Sequence, residues 1–218
     1  MKKSLAALLL GATLAFATSA SATMTTDRDE FEDAASNYSV TSNYGTAYST
    51  PSTVSLGGVT ATSSQPLDIR QIGSSWSTGV WIQKYSGQIL FSQFAQSITL
   101  TFDKMVTGFS FLAQANSYGT SAVTLSAGGE TLTQNATTSS ASGGAAYFAW
   151  FGDAISSLTI STSDSQGFAF GKIAIATNGE AVPTAVPGPE AGAGLAALAL
   201  GGMALLMKRR RKDDLLAA

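Results

Sequence analysis

Through the middle of the chain, apolar and polar residues alternate one by one. Ile98, Leu100 and Phe102 alternate with Thr99, Thr101 and Asp103. Phe109, Phe111 and Ala113 alternate with Ser110, Leu112 and Gln114, and Val123 and Leu125 with Thr124 and Ser126. Leu158 and Ile160 alternate with Thr159 and Ser161; Phe168, Phe170 and, across an irregularity at Gly171, Ile173 and Ile175 close the series. A period of two over short runs predicts strands with one buried face. Gly57-Gly58 falls between Val54-Ser55-Leu56 and Val59-Thr60-Ala61, and Gly128-Gly129 between Val123-Thr124-Leu125 and Glu130-Thr131-Leu132. Both predict hairpins.

Helical spacing occurs once in this part, over Thr25–Ala35. Thr26 is the expected cap, acids crowd the first turn, where the helix dipole favours them, and Phe31, Ala34 and Ala35 form a small apolar face. The acidic patch there is either a solvated helix start or a cation site. About nine or ten strands follow from the alternation. They predict an all-β fold, an antiparallel two-sheet sandwich of jelly-roll type with a short N-terminal helix; a closed barrel is the alternative.

The two ends of the 218-residue chain carry a different pattern. Lys2 and Lys3 precede an apolar run, Leu5 to Ala17, and Ala20-Ser21-Ala22 supplies small residues for cleavage after Ala22. These are the three regions of a secretory signal peptide, residues 1–22. Near the other end, Val186-Pro187-Gly188-Pro189-Glu190 leads into an uncharged run, Ala191 to Met207, and then into Lys208-Arg209-Arg210-Arg211-Lys212. As a helix that run is about 25 Å long, at the short limit for a hydrocarbon core of about 30 Å. Lysine and arginine reach head groups by snorkelling, and the basic cluster holds its end in the cytoplasm. Gly192, Gly194, Gly201 and Gly202 weaken the helix, so the anchor is marginal. The expected organisation is a signal peptide (1–22), an exported β domain (23–182), a linker with the proline motif (183–190), a transmembrane helix (191–207) and a basic tail (208–218).

This three-part ending resembles the PEP-CTERM sorting signal, in which a short proline motif precedes a weak transmembrane helix and an arginine-rich tail. Gly188 stands where that family's motif has glutamate between two prolines, and Glu190 follows the second proline instead. The resemblance implies recognition and cleavage by an exosortase-type membrane protease. It further implies passage through the inner membrane, transient anchoring there, and a final place on the cell surface or outside it, among exopolysaccharide or biofilm material.

Composition narrows the chemistry. Histidine and cysteine are both absent, which removes Ser-His-Asp and Cys-His nucleophile systems and the common zinc sites. Seven of the twelve basic residues lie at the ends. Between Thr23 and Gly188, five basic residues face eleven carboxylates, a net charge near −6, which disfavours nucleic acid as a partner.

Four groups of residues bear on possible sites. Asp103, Glu130, Asp153 and Asp164 are candidates for a glycosidase-type pair, though no spacing links any two, and the expectation is a protein that is not an enzyme. Ser161–Gly167 resembles a ligating loop but carries one carboxylate, so a turn is expected, with no cofactor; a structural Ca²⁺ between distant loops is the alternative. Trp76, Trp81 and Tyr85 cluster, and Trp150 lies in a second aromatic group with Tyr147, Phe148 and Phe151; Trp76, Trp81, Tyr85 and Trp150 are the candidate glycan contacts. In a strand, Phe148 and Trp150 share one face while Tyr147, Ala149 and Phe151 share the other, so one set must be exposed, at an edge, or covered. Tyr38, Tyr44 and Tyr48 lie in a Ser/Thr/Asn-rich stretch expected to be a surface loop. The reading is a non-enzymatic surface or matrix protein, with a lectin-like module as the alternative and a glycan-active enzyme behind both.

Overall fold

A computed structural model describes residues 22–35, 37–76, 85–138 and 144–181. The expected transmembrane helix, proline motif, basic tail and signal peptide up to Ser21 lie outside these residues. Among the described residues no helix is long and apolar enough to cross a membrane. In chain order the elements are β1 (Thr23–Thr25), α1 (Arg28–Ala34), β2 (Ser39–Thr41), β3 (Thr53–Leu56), β4 (Val59–Ser63), β5 (Asp68–Gln71), β6 (Gln88–Phe91), β7 (Ser97–Ala115), β8 (Gly119–Ala127), β9 (Glu130–Thr138), β10 (Ala146–Thr162) and β11 (Phe168–Ala181).

The antiparallel all-β expectation holds, and the hydrogen bonds join these strands into one curled sheet rather than two separate ones. Its order is β5-β6-β11-β7-β10-β8-β9, with β4 on β7, β3 on β4, β2 on β11 and β1 on β10. The curl comes from three long strands that change neighbours along their length. The first part of β7 lies between β4 (Phe102 opposite Ala61) and the end of β10 (Ile98 opposite Ile160). Its last part lies between β11 (Ala113 opposite Phe170) and the start of β10 (Phe111 opposite Phe148). Register shifts between Phe151 and Ser157 in β10, and after Gly171 and Ala176 in β11, bend these strands. The irregularity expected at Gly171 is one of those shifts, with Lys172 at φ +51°.

Alternation decides which side chains meet inside. Phe111 stacks on Phe148 with ring centroids 5.2 Å apart and an interplanar angle of 10°, and Phe170 meets Phe111 edge-on at 6.0 Å. Around them pack Phe109, Trp150, Phe168, Leu100, Leu125 and Ile160. The shared middle of β7, β10 and β11 is buried on its outer face as well, since Ser110, Leu112 and Gln114 are all enclosed. Helix α1 covers part of that face. Phe31 inserts among Ala149, Ala174 and Ala176, and Gly108 leaves it room: a Cβ there would stand 3.2 Å from the Phe31 ring. Arg28 lies over the Tyr147 ring at 5.4 Å. The set Tyr147, Ala149 and Phe151 is therefore the covered one.

Two details differ from the sequence reading. The helix cap is Asp27, not Thr26: its carboxylate accepts the Asp29 N–H at 2.9 Å, while Thr25 accepts the Asp27 N–H at 3.0 Å and bonds Glu30. The tyrosine-rich stretch is not simply loop. It contains β2, and Tyr44 is buried, its hydroxyl donating to the Thr41 carbonyl at 3.0 Å.

The other end of the sheet shows water a field of hydroxyls. Thr99 pairs with Thr159 at 3.0 Å, Thr124 with Thr133 at 2.9 Å, and Ser126 with Thr131 at 3.2 Å. Such cross-strand pairs contribute roughly 0.2–1 kcal/mol each.

Both expected hairpins are present, Leu56 pairing with Val59 and Ala127 with Glu130. Gly57 and Gly58 have φ of +57° and +86°, as a two-residue turn of this twist requires. A Cβ on Gly58 meets nothing within 4 Å, whereas one on Gly57 would stand 2.6 Å from the Ser39 Cβ. Gly58→Ala is expected to lower stability by about 1–2 kcal/mol, the left-handed penalty alone. Gly57→Ala adds a clash and is expected to cost at least about 1 kcal/mol more. Urea unfolding of the two variants measures the difference.

Candidate functional site

The outer face of the long strands carries a cleft. Past the cover of α1, β7 carries Ser110, Leu112 and Gln114 on this face, two residues apart. Ser110 and Leu112 border the space beside Phe31, and Gln114 lies in a cleft of about 340 Å³. The cleft is lined by Arg70 from the end of β5, Ser75 and Trp76 from the segment after it, Phe91 of β6, Asn116 and Tyr118 from the β7–β8 turn, and Thr138 of β9. That volume falls within the lower part of the range for small-ligand pockets.

The aromatic residues around it are unusual in two respects. Among the described residues, the exposed large hydrophobic side chains are Tyr48 (63%), Phe94 (62%), Tyr118 (73%) and Val40. All three aromatic ones adjoin the cleft. Tyr118 lines it, Phe94 meets the lining Phe91 at 5.9 Å, and Tyr48 lies beneath the lining Arg70 at 5.9 Å. Trp76 completes the run, 5.2 Å from Phe91. Moreover, Tyr48 and Phe94 have φ of +65° and +71°. A bulky residue in the left-handed region is strained, and burial gives no compensation when the ring is in water. Strain of this kind concentrates where side chains are held for a purpose.

Polar groups give the floor its chemistry. Gln114 is 1% exposed, and its Oε1 meets no donor among the described residues. The Arg70 guanidinium is bound to Asp68, Nε to Oδ2 at 2.7 Å and Nη2 to Oδ2 at 2.5 Å. The charge that Arg70 brings to the cleft lining is thus compensated.

A single turn, 163–167, holds the two rims. The Asp164 carboxylate accepts the Ser117 N–H at 2.6 Å, the Ser117 hydroxyl at 2.8 Å and the Gln166 N–H at 2.9 Å. Asn116 donates to the Gln166 carbonyl at 3.2 Å. These bonds fix the strand end that carries Tyr118. On the other rim, Ser92 Oγ accepts the Phe168 N–H at 2.9 Å and donates to the Ala95 carbonyl at 2.8 Å. A Cβ on Gly167 would stand 2.9 Å from the Phe94 nitrogen, so the turn and the Phe94 backbone are in close contact.

The sequence candidates divide accordingly. Trp76 lines the cleft. Tyr85 sits behind it, half-buried with Ile72, Ile89 and Phe91; its hydroxyl donates to the Gln88 carbonyl at 2.6 Å, and burial pushes its phenol above the usual range. Trp150 is 0% exposed and belongs to the interior, so it has no surface to offer a glycan. Trp81 lies outside the described residues. Tyr118, Phe94, Tyr48, Arg70 and Gln114 were missed. The left-handed backbone of Phe94 and Tyr48 leaves no mark in an alternation pattern.

The carboxylates do not assemble a catalytic pair. Asp103 accepts the Thr60 N–H at 2.7 Å, Glu130 borders a shallow depression that none of the other three lines, Asp153 is exposed, and Asp164 is committed to its turn. Among the described residues no three of His, Cys, Asp and Glu gather as a metal site.

Asp164 yields a pH prediction. Its burial favours the neutral acid, but the N–H groups of Ser117 and Gln166 and the Ser117 hydroxyl outweigh that and hold the carboxyl below its usual range. A depressed folded-state pKa contributes stability above the unfolded value of about 3.9, and the contribution is lost as pH falls through the folded value. Asp164→Asn is expected to cost about 1–3 kcal/mol at neutral pH. Denaturant midpoints of wild type and variant are expected to converge as pH drops below about 4.

No protein-family model and no curated protein matches the chain. Among solved structures, 61% of it superposes on 34% of a structure titled as a peptidoglycan O-acetylesterase in action, with 19% identity and a TM-score of 0.33. A further 55% match covers 26% of a Clostridium thermocellum endo-1,4-beta-D-xylanase, its CBM22-1 and GH10 modules complexed with xylohexaose, with 15% identity and a TM-score of 0.29. The chain spans about a third and a quarter of those two proteins, and likeness at this level carries no functional argument.

Proposed function

We propose that this is an exported, non-enzymatic surface protein, sorted by its C-terminal signal and binding carbohydrate through the cleft beside Tyr118. The curled sheet is read as a jelly-roll-like sandwich whose layers are linked by the long strands β7, β10 and β11. The signal peptide sends it across the inner membrane, the short 191–207 helix holds it there, and an exosortase-type protease releases or transfers it near Val186–Glu190. It then resides in the polysaccharide-rich envelope.

One observation supports the binding role above the rest. The exposed aromatic side chains of the described domain, Tyr48, Phe94 and Tyr118, adjoin one cleft, and two of them hold a strained backbone to do so. Aromatic faces offer sugar C–H surfaces a flat apolar partner, while amides and hydroxyls beside them bond the ring oxygens. The committed carboxylates favour binding over hydrolysis.

Two outcomes are expected. On a glycan array the purified mature protein binds a polysaccharide, and Tyr118→Ala weakens that binding about tenfold, roughly 1.4 kcal/mol. Phe94→Gly does the same while stability stays within about 0.5 kcal/mol, because relief of left-handed strain offsets the freedom gained by the unfolded glycine. An array without binding, or variants that bind as wild type, would reject the cleft.

Sorting is tested by intact mass of the protein from a host with the processing system. The mature form is expected to begin at Thr23 and to lack Lys208–Lys212. Retention of that basic cluster would reject cleavage.

A further inference from the structure

We propose that the cleft takes a neutral, polyhydroxylated glycan chain and that the Gln114 amide on its floor reads one ligand hydroxyl. This rests on the carbohydrate-binding role argued above and narrows it to a substrate class.

Charge argues first. Among the described residues Arg70 is the cleft's one charged lining residue, and Asp68 already occupies its guanidinium through Nε and Nη2. Its face is further engaged with the Tyr48 ring. A glycan carboxylate entering here would have to displace Asp68 or approach an ion pair that is already neutral. The span Thr23–Gly188 as a whole carries a net charge near −6, which disfavours a polyanion at long range. Among the described residues an acidic polysaccharide therefore meets no free cation in the cleft, and the domain's net charge disfavours it.

Hydrogen bonding argues next. A buried carbonyl oxygen without a donor is costly, yet among the described residues Gln114 keeps one in a cleft that Arg70, Asn116, hydroxyls and aromatic rings also line. The missing partner must be a donor. A sugar hydroxyl supplies one, whereas a carboxylate offers only acceptors. Thr138 cannot serve, because its hydroxyl already donates to the Ala115 carbonyl at 2.9 Å. Trp76 and Tyr118 line the same cleft as this amide, so a pyranose ring stacked on either lies in the cleft that Gln114 also lines.

This arrangement makes two quantities move in opposite directions. Gln114→Leu removes the unpaired oxygen from the free protein and the reader from the complex. Thermal stability is expected to hold or rise, while binding falls. A residue with a merely structural role would lose both together.

The test is calorimetric titration of the purified mature protein with neutral hexasaccharides of glucose, mannose and galactose and with an oligogalacturonate of equal length. At least one neutral probe is expected to bind more than tenfold more tightly than the oligogalacturonate. Gln114→Leu, and the length-matched Gln114→Met as a check on folding, are expected to weaken that probe at least tenfold without lowering the thermal midpoint. Tighter binding of the oligogalacturonate, or unchanged affinity in both variants, overturns the proposal while leaving a carbohydrate-binding cleft in place. Absence of binding to every probe on this panel and on the array overturns both.

Discussion

Everything in the domain depends on the centre of β7, where one strand segment is buried on both faces at once. On its inner side Phe109 and Phe111 meet Phe148 and Phe170, and on its outer side Ser110, Leu112 and Gln114 are also shut away from water. A strand hydrogen-bonded on both edges and buried on both faces requires a cover on each side. The inner cover is the rest of the curled sheet. The outer cover is assembled from α1 with Phe31 and from the Ile72–Trp76 segment with Tyr85, and Gln114 lies where a cleft remains open. The cleft is thus a consequence of covering a doubly buried strand with pieces of limited size.

The two ends of the sheet solve the problem of solubility differently. Where no cover exists, the outward positions of β3, β4, β8 and β9 and the far ends of β7 and β10 are mostly serine and threonine, with Ala122, Asn135 and Asp103 the exceptions. Pairs such as Thr99–Thr159 and Thr124–Thr133 bond to each other across strands. These residues favour strands and hydrate well, so the face stays wet without charge. That explains how a domain so poor in charged residues still presents an open sheet face.

Much of this was legible in the chain. The alternations of Ile98–Asp103 and Leu158–Ser161, the two Gly-Gly turns and the break at Gly171 each report a local backbone choice, and local choices leave local patterns. Parity in the 147–151 segment even required that one aromatic set be covered, which α1 does. Strand fusion was not legible, because the shifts around Asp103 and Gly152 interrupt the alternation in the same way that a turn does. The cleft was harder still. Its members come from β5, β6, β7 and β9 and the turn before β8, and they meet only through the order β5-β6-β11-β7-β10-β8-β9. Trp150 misled because its identity suggests stacking, while its place, opposite Phe109 on β7, is decided by parity.

The 163–167 turn shows how a residue suspected of chemistry can act by position instead. Asp164 was a candidate catalytic or ligating carboxylate in a segment expected to be a turn, and the turn is what forms. Its oxygens are instead spent on Ser117 and Gln166, so it fixes the backbone next to Tyr118, and the same short turn lies through Gly167 against Phe94. One turn thereby holds both aromatic rims. Rigidity of this kind matters for weak ligands such as sugars, because each side chain that must be ordered on binding costs about 0.5–1.5 kcal/mol. Had Phe94 and Tyr118 sat on free loops, that cost would consume much of what stacking contributes. The strain at Phe94 is then the counterpart of preorganisation: the ring is held ready in water by a turn anchored in the interior, and the interior that anchors it is the doubly buried strand with which the fold began.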